Sequence, residues 1–186
     1  MNRLAGHAVY QVGPIDRVKD RKDATSWRLN IQKFLNQNDI GCFNPCDKPC
    51  SHAQETAETL NQIHELKLQY RFDEVRSTMQ PIVQIDLRML DLSSFVIAHI
   101  DPQVFSCGSF SEITYACLEH KPVLLHCEDF AGIPNWLFGI CDPKLFFEDW
   151  DDLKEYILKV CYDTSYDLPR EFQLFDMNQV FGKEIW

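Results

Sequence analysis

The sequence predicts an α/β protein built on a parallel sheet, and three observations carry that expectation. Its strand-like segments are continuous apolar runs, such as Phe95-Val96-Ile97-Ala98-His99-Ile100 and Pro122-Val123-Leu124-Leu125-His126-Cys127. Strands buried on both faces have that pattern, whereas half-exposed strands alternate. Stretches with apolar residues at helical spacing separate these runs, as repeated βα units require. The chain has 186 residues, 45% of them hydrophobic and 25% charged, which suits a single globular domain with its own core.

The elements follow in order. Ala8-Val9-Tyr10-Gln11-Val12 is a short buried strand, stopped by Gly13-Pro14. Trp27, Ile31, Phe34 and Leu35 recur at helical spacing, with Thr25 or Ser26 as candidate caps. Ile40 to Pro45 gives a helix end, a short strand and a stop. Phe95–Ile100 and Pro122–Cys127 are the third and fourth strands, and Leu145-Phe146-Phe147 is a short fifth. A helix is expected from about Glu112 to Glu119, and a late one presents Leu153, Tyr156, Ile157, Val160 and Cys161 on one face.

Two segments break this rhythm. Residues 46–80 are polar with a weak apolar stripe, too long for a plain loop, and are expected to form a helical insertion that could serve as a lid. The tail after Tyr162 carries Tyr166, Phe172, Phe175, Phe181 and Trp186 without a period, a spacing expected to dock on the same chain or a neighbouring one. The expected organisation is one α/β domain over residues 1–162 and an aromatic tail over 163–186.

Charge narrows the partners. The net charge of −10 argues against polymeric nucleic acid or an anionic membrane, since both require cationic surface. It leaves room for a small anion held by backbone N–H groups and one or two arginines. No apolar run approaches the length of a membrane span, and the first residues lack a signal-peptide core, so a cytoplasmic protein is expected. The eight cysteines are accordingly read as reduced thiols. Cys42, Cys46 and Cys50, followed by His52, are spaced too widely for the usual zinc pairs, and no metal or cofactor is expected. Cys107 is read as packing, and Glu148-Asp149-Trp150-Asp151-Asp152 as the solvated start of the last helix.

In an open parallel sheet, ligands sit beyond the C-terminal strand ends. Two loops qualify: Gly13-Pro14-Ile15-Asp16-Arg17 after the first strand, and Asp101 to Glu112 after the third. The second places Ser106, Gly108 and Ser109 just before a helix, where free N–H groups suit an anion; a Ser-capped helix start is the plain alternative. Glu112 falls in the expected first turn of that helix, where a capping or dipole role is the commonplace one. Asp86 shares a helical face with Met79, Val83 and Leu90. A carboxyl group there needs a partner or a raised pKa, and a hydrogen bond to a backbone amide would be the bland solution. Two such carboxyls suit acid-plus-nucleophile chemistry at a sugar C1.

These residues resemble the nucleoside 2-deoxyribosyltransferase superfamily, which includes nucleotide N-glycosidases and phage-borne relatives. The resemblance covers about residues 8–140. It lies in Val9-Tyr10-Gln11-Val12-Gly13-Pro14-Ile15-Asp16, in Asp86-Leu87 leading through Asp91 to Phe95-Val96-Ile97-Ala98, and in Gly108-Ser109-Phe110-Ser111-Glu112-Ile113 running through Ala116 to Lys121-Pro122-Val123-Leu124-Leu125. It implies a flavodoxin-like (Rossmann-like) five-stranded parallel sheet with helices on both faces, and a double displacement at C1 of a ribose or deoxyribose. By similarity, Glu112 is the nucleophile that forms the glycosyl-enzyme, Asp86 the acid that assists the departing base, and Tyr10 the tyrosine that orients the nucleophile. Gly13 to Arg17 and Asp91 fall among the implied substrate contacts. Asn135 resembles an asparagine that reaches into a neighbouring subunit's site, or else caps a loop. A homodimer or higher homo-oligomer and a phage or bacterial setting are implied too.

One departure bears on substrate. Transferases for free nucleosides often carry an acidic residue six positions before the nucleophile, holding the 5′-hydroxyl; here residue 106 is Ser. A carboxylate there would repel a 5′-phosphate, whereas Ser106 with Gly108 and Ser109 would accept one, and Arg17 is either a second anion contact or a solvated surface residue. The expected substrate is therefore a nucleoside 5′-monophosphate. A deoxyribosyltransferase on free nucleosides is the nearest alternative, and a nucleotide-binding or sensing module the alternative of another class.

Overall fold

The apolar runs pair as one parallel sheet in the computed structural model, which describes residues 2–15, 18 and 21–166. Its strands are β1 (Ala8–Val12), β2 (Gly41–Phe43), β3 (Phe95–His99), β4 (Val123–His126) and β5 (Phe146–Phe147), ordered β2-β1-β3-β4-β5. Register sets Tyr10 against Phe43 on one side and Val96 on the other. The helices are α1 (Arg21–Gln37), α2 (Ala57–Leu68), α3 (Phe72–Leu92), α4 (Cys107–Leu118), α5 (Asn135–Ile140) and α6 (Trp150–Tyr162). This is the flavodoxin-like order. The chain reverses direction across the sheet between β1 and β3, which opens a crevice at their C-terminal ends.

Strand alternation divides the core. Val9, Phe95, Ile97 and Leu124 pack with Trp27, Ile31 and Leu35 of α1 and Leu153, Ile157 and Val160 of α6. Tyr10, Val12, Val96 and Ala98 face the other way, onto Met89 and Leu90 of α3 and Ile113 and Ala116 of α4. The period of two therefore points Tyr10 toward α3 and α4.

Three boundaries differ from expectation. The first helix begins at Arg21, so Thr25 and Ser26 lie within it. α4 begins at Cys107, so Glu112 sits in its second turn, not its first; the small residues Cys107-Gly108-Ser109 conceal a helical turn inside an apparent loop. The insertion does not end at Gln80, because α3 runs on from Phe72 with Pro81 inside it. Its first turns are mostly exposed, so no apolar face marked them. Ahead of α3, α2 is capped by Thr56, whose hydroxyl accepts from the Thr59 amide at 3.1 Å, and buries Ile63 and Leu66. Of the aromatic tail, Tyr166 docks on its own chain, edge-on to Tyr156 and beneath Lys159; residues 167–186 lie outside the described part.

The turn after β1 is fixed from behind by Arg28. This buried guanidinium donates to the carbonyls of Gly13 at 2.8 Å and Pro14 at 3.4 Å, and also to that of Ala24. It lies 4.5 Å from the Trp27 ring centroid. A Cβ at Gly13 would come within 2.9 Å of the Trp27 ring and 3.2 Å of both Arg28 and the His99 carbonyl. Gly13→Ala is therefore expected to lower the unfolding free energy by about 1–3 kcal/mol, measured by urea titration; an unchanged midpoint would show the turn to be loose.

At the ends of β3 and β4, the Nδ1 atoms of His99 and His126 lie 2.9 Å apart, with Trp150 stacked on His126 at 3.8 Å. Burial pushes both imidazoles down to about 4. The unfolded chain binds these protons near pH 6.5 and the folded chain only near 4, so their contribution is complete above 6.5 and is lost as pH falls through that window. The loss should be roughly 3 kcal/mol for the pair, discounted for the solvent that reaches the partly buried His99 ring. His126→Gln should flatten the stability profile between pH 6.5 and 4; an unaltered acid slope would contradict this.

Candidate active site

Tyr10 is fully buried, and its hydroxyl donates to Glu112 Oε1 at 2.7 Å. The bond joins the middle of β1 to the second turn of α4 across 102 residues. Burial raises the Tyr10 phenol, and the neighbouring Glu112 and Asp86 raise it further. It therefore acts as a neutral donor.

Glu112 faces a cavity of about 320 Å³ at the C-terminal ends of β1 and β3. Gly13 and Ile15 form one wall, Ser106, Gly108, Ser109 and Ser111 another, and Ile82, Val83, Asp86 and Leu87 of α3 a third, with Glu55 and Met79 beyond. Exclusion of water pushes the Glu112 carboxyl up to about 8; the Tyr10 hydrogen bond pulls it down, and the charge of Asp86 pushes it up again. Asp86 is pushed up to about 6, also by burial. Opposing that is Lys48, whose ammonium donates to Asp86 Oδ2 at 2.9 Å, and the Tyr10 hydroxyl also favours the Asp86 anion. Asp86 thus has an ammonium partner instead of the backbone amide or purely apolar surroundings that the sequence suggested. Both carboxyls are thus held above their ordinary range, with Lys48 favouring the Asp86 anion and Tyr10 the Glu112 anion. Asp86 Oδ1 is buried without a hydrogen-bond partner, so its acceptor capacity is open.

The hydroxyl end is ordered. Ser106 and Ser109 are both buried, with their oxygens 2.6 Å apart, and Ser106 precedes the first helical residue without capping it. A Cβ on Gly108 would meet nothing within 4 Å, so the space beside the start of α4 is open.

The structure thus brings together Tyr10, Gly13, Ile15, Asp86, Ser106, Gly108, Ser109 and Glu112. Pro14 is buried next to Gly13, and its carbonyl accepts from Arg28. Asp91 does not join them: it is exposed on the far side of its helix turn and pairs with Arg88. Five residues beyond Asp86 is well past one turn, so the two point apart. Asn135 stands exposed at the start of α5, away from the cavity residues of its own chain. Asp16 and Arg17 lie outside the described residues. Cys42, Cys46 and Cys50 are half-buried and outside any disulfide.

Lys48, Glu55 and Arg28 are the residues that sequence reasoning missed. Arg28 left a trace: with Ala24, Ile31 and Leu35 it lies on the buried stripe of α1, the same anomaly that marks Asp86. Lys48 and Glu55 left none, being charged residues in a polar segment.

No family model and no curated protein sequence matches the chain. It shares its fold with a 2-deoxyribosyltransferase. That enzyme comes from the psychrotolerant bacterium Bacillus psychrosaccharolyticus and is described as a biocatalyst for the synthesis of antiviral and antitumoral nucleosides. Its structure aligns with a TM-score of 0.53 over 80% of this chain and 91% of that one, at 15% identity. Among the described residues no helix is long and apolar enough to cross a membrane.

The Glu112 environment has a consequence for stability. A folded pKa of about 8 against an ordinary 4.5 means the carboxyl favours folding fully below pH 4.5, and that contribution is lost as pH rises through 8. Glu112→Gln keeps the shape and removes the ionisation. It should be more stable than the wild type at pH 8 by about 2–4 kcal/mol, with the difference shrinking toward pH 4, in urea titrations across that range. Equal stability at pH 8 would mean Glu112 is not held in a water-poor site.

Proposed function

We propose that the protein cleaves or exchanges the N-glycosidic bond of a nucleoside 5′-monophosphate, through a glycosyl-enzyme on Glu112. The observation that carries this is the Tyr10–Glu112–Asp86 constellation at a cavity that also holds a pair of serine hydroxyls at a helix start. The 5′-phosphate lies against Ser106, Gly108, Ser109 and the first N–H groups of α4, where the helix dipole favours an anion. The sugar then brings C1′ to Glu112, and the base extends toward Asp86 and the apolar side chains of α3.

The chemistry needs Glu112 ionised and a proton available for the base. One proton serves both needs when it passes from Glu112 to Asp86, and the Tyr10 hydroxyl, bonded to the first and close to the second, is placed to relay it. The Glu112 carboxylate then attacks C1′, and the C1′–N bond breaks. Its electron pair leaves with the base, which takes the proton from Asp86. The oxocarbenium-like transition state is stabilised by the adjacent carboxylate. Water attacking the resulting ester gives hydrolysis, and a second base gives transfer. The fold shared with a deoxyribosyltransferase supports transfer between free nucleosides as a second reading.

The deciding assay is chromatography after incubation with each common ribo- and deoxynucleoside 5′-monophosphate, with and without an added base. Release of base from a monophosphate is expected. Exchange only with an added base would make the protein a transferase, and activity confined to nucleosides would overturn the phosphate assignment. Binding without turnover would favour a sensing module. Ser106→Asp should cut kcat/KM for the monophosphate by about tenfold or more while sparing the nucleoside; unchanged monophosphate turnover would exclude Ser106 from the phosphate site.

A further inference from the structure

Glu55 carries information that the reaction above does not use. It belongs to the segment between β2 and α2, yet lines the same cavity as Glu112 and Asp86. Its side chain keeps only 11% exposure, and its Oε2 lies 3.2 Å from Lys48 Nζ. Lys48 itself is wholly shielded and does not line the cavity. One ammonium behind the wall therefore ties together two carboxylates from different parts of the chain, Glu55 and Asp86, at 3.2 and 2.9 Å.

The cavity wall is thus of two kinds. Serine hydroxyls and helix N–H groups come from the start of α4, whereas the carboxylate oxygens of Asp86 and Glu55, which can only accept hydrogen bonds when ionised, come from α3 and the segment before α2. A phosphate would be repelled from the acidic wall, so in the orientation proposed above the base lies against it. A base edge there meets acceptors. An exocyclic amino group offers them a donor, whereas a keto oxygen in the same place would set two acceptors against each other in a water-poor site and leave both unsatisfied.

We propose that Glu55 is a specificity-determining residue that selects bases presenting an amino group, adenine or cytosine type over their keto counterparts, with Lys48 as the positioning residue that aims it. This rests on the nucleotide reading of the cavity, but it can fail separately.

Matched pairs test it: base release from dAMP against dIMP, and from dCMP against dUMP, by the wild type and by Glu55→Gln. Glutamine keeps the size but can present either a donor or an acceptor. The wild type should prefer the amino member of whichever pair it accepts by about tenfold or more, and Glu55→Gln should bring that ratio close to one. A wild type without this preference, or a variant that keeps it, overturns the proposal. If no nucleotide is turned over, the glycosidic reading fails, and calorimetric binding of adenine against hypoxanthine and cytosine against uracil decides the selector alone. An amino preference abolished in Glu55→Gln sustains it; equal binding, or none, overturns it. Thermal unfolding of the variant, which retains the Lys48–Asp86 pair, reports that the fold is intact.

Discussion

The hydrogen bond from the Tyr10 hydroxyl to Glu112 is the constraint around which the site is arranged. It requires a phenol at the centre of the sheet, on the face toward α3 and α4, and a carboxyl group one and a half turns into α4. Strand alternation supplies the first condition and the helix start at Cys107 the second. A charged-group hydrogen bond in a water-poor setting contributes on the order of 1.5–3 kcal/mol. That offsets only part of the cost of burying Glu112, which is why the carboxyl remains far above its ordinary pKa. The site is thus held in a state the protein would relieve by losing the charge, as is common where function and stability compete.

Cations placed behind the walls make the arrangement tolerable. Lys48 lies behind Asp86 and Glu55, and Arg28 lies behind the Gly13-Pro14 turn. Neither forms part of the cavity lining. Their fields moderate the carboxyls without placing a cation in the cavity wall, and their hydrogen bonds fix wall positions. Arg28 also favours the Glu112 anion from a distance. The outcome is two carboxyls held above their ordinary range in different surroundings, beside a neutral phenol.

Much of the frame was legible because its causes are local. Continuous apolar runs marked the strands, and the parallel sheet followed from the helices between them. Asp86 betrayed itself by falling on an apolar helical face, and Ser106 and Glu112 by following the third strand. The missing parts depended on contacts across the chain. Lys48 and Glu55 look like any charged residues of a polar segment until α2 and α3 bring that segment over the sheet. The start of α4 was hidden because Gly and Ser favour loops as readily as helix starts. Asp91 drew attention by its neighbours in sequence, but the helix turns it to solvent.

The most direct test of the central claim is intact-protein mass spectrometry after acid quenching during turnover of a nucleoside 5′-monophosphate. The account predicts a single adduct of the sugar phosphate, mapped by proteolysis to Glu112 and absent in Glu112→Gln. Base release with no adduct on the protein under single-turnover conditions, or an adduct on another residue, would contradict it.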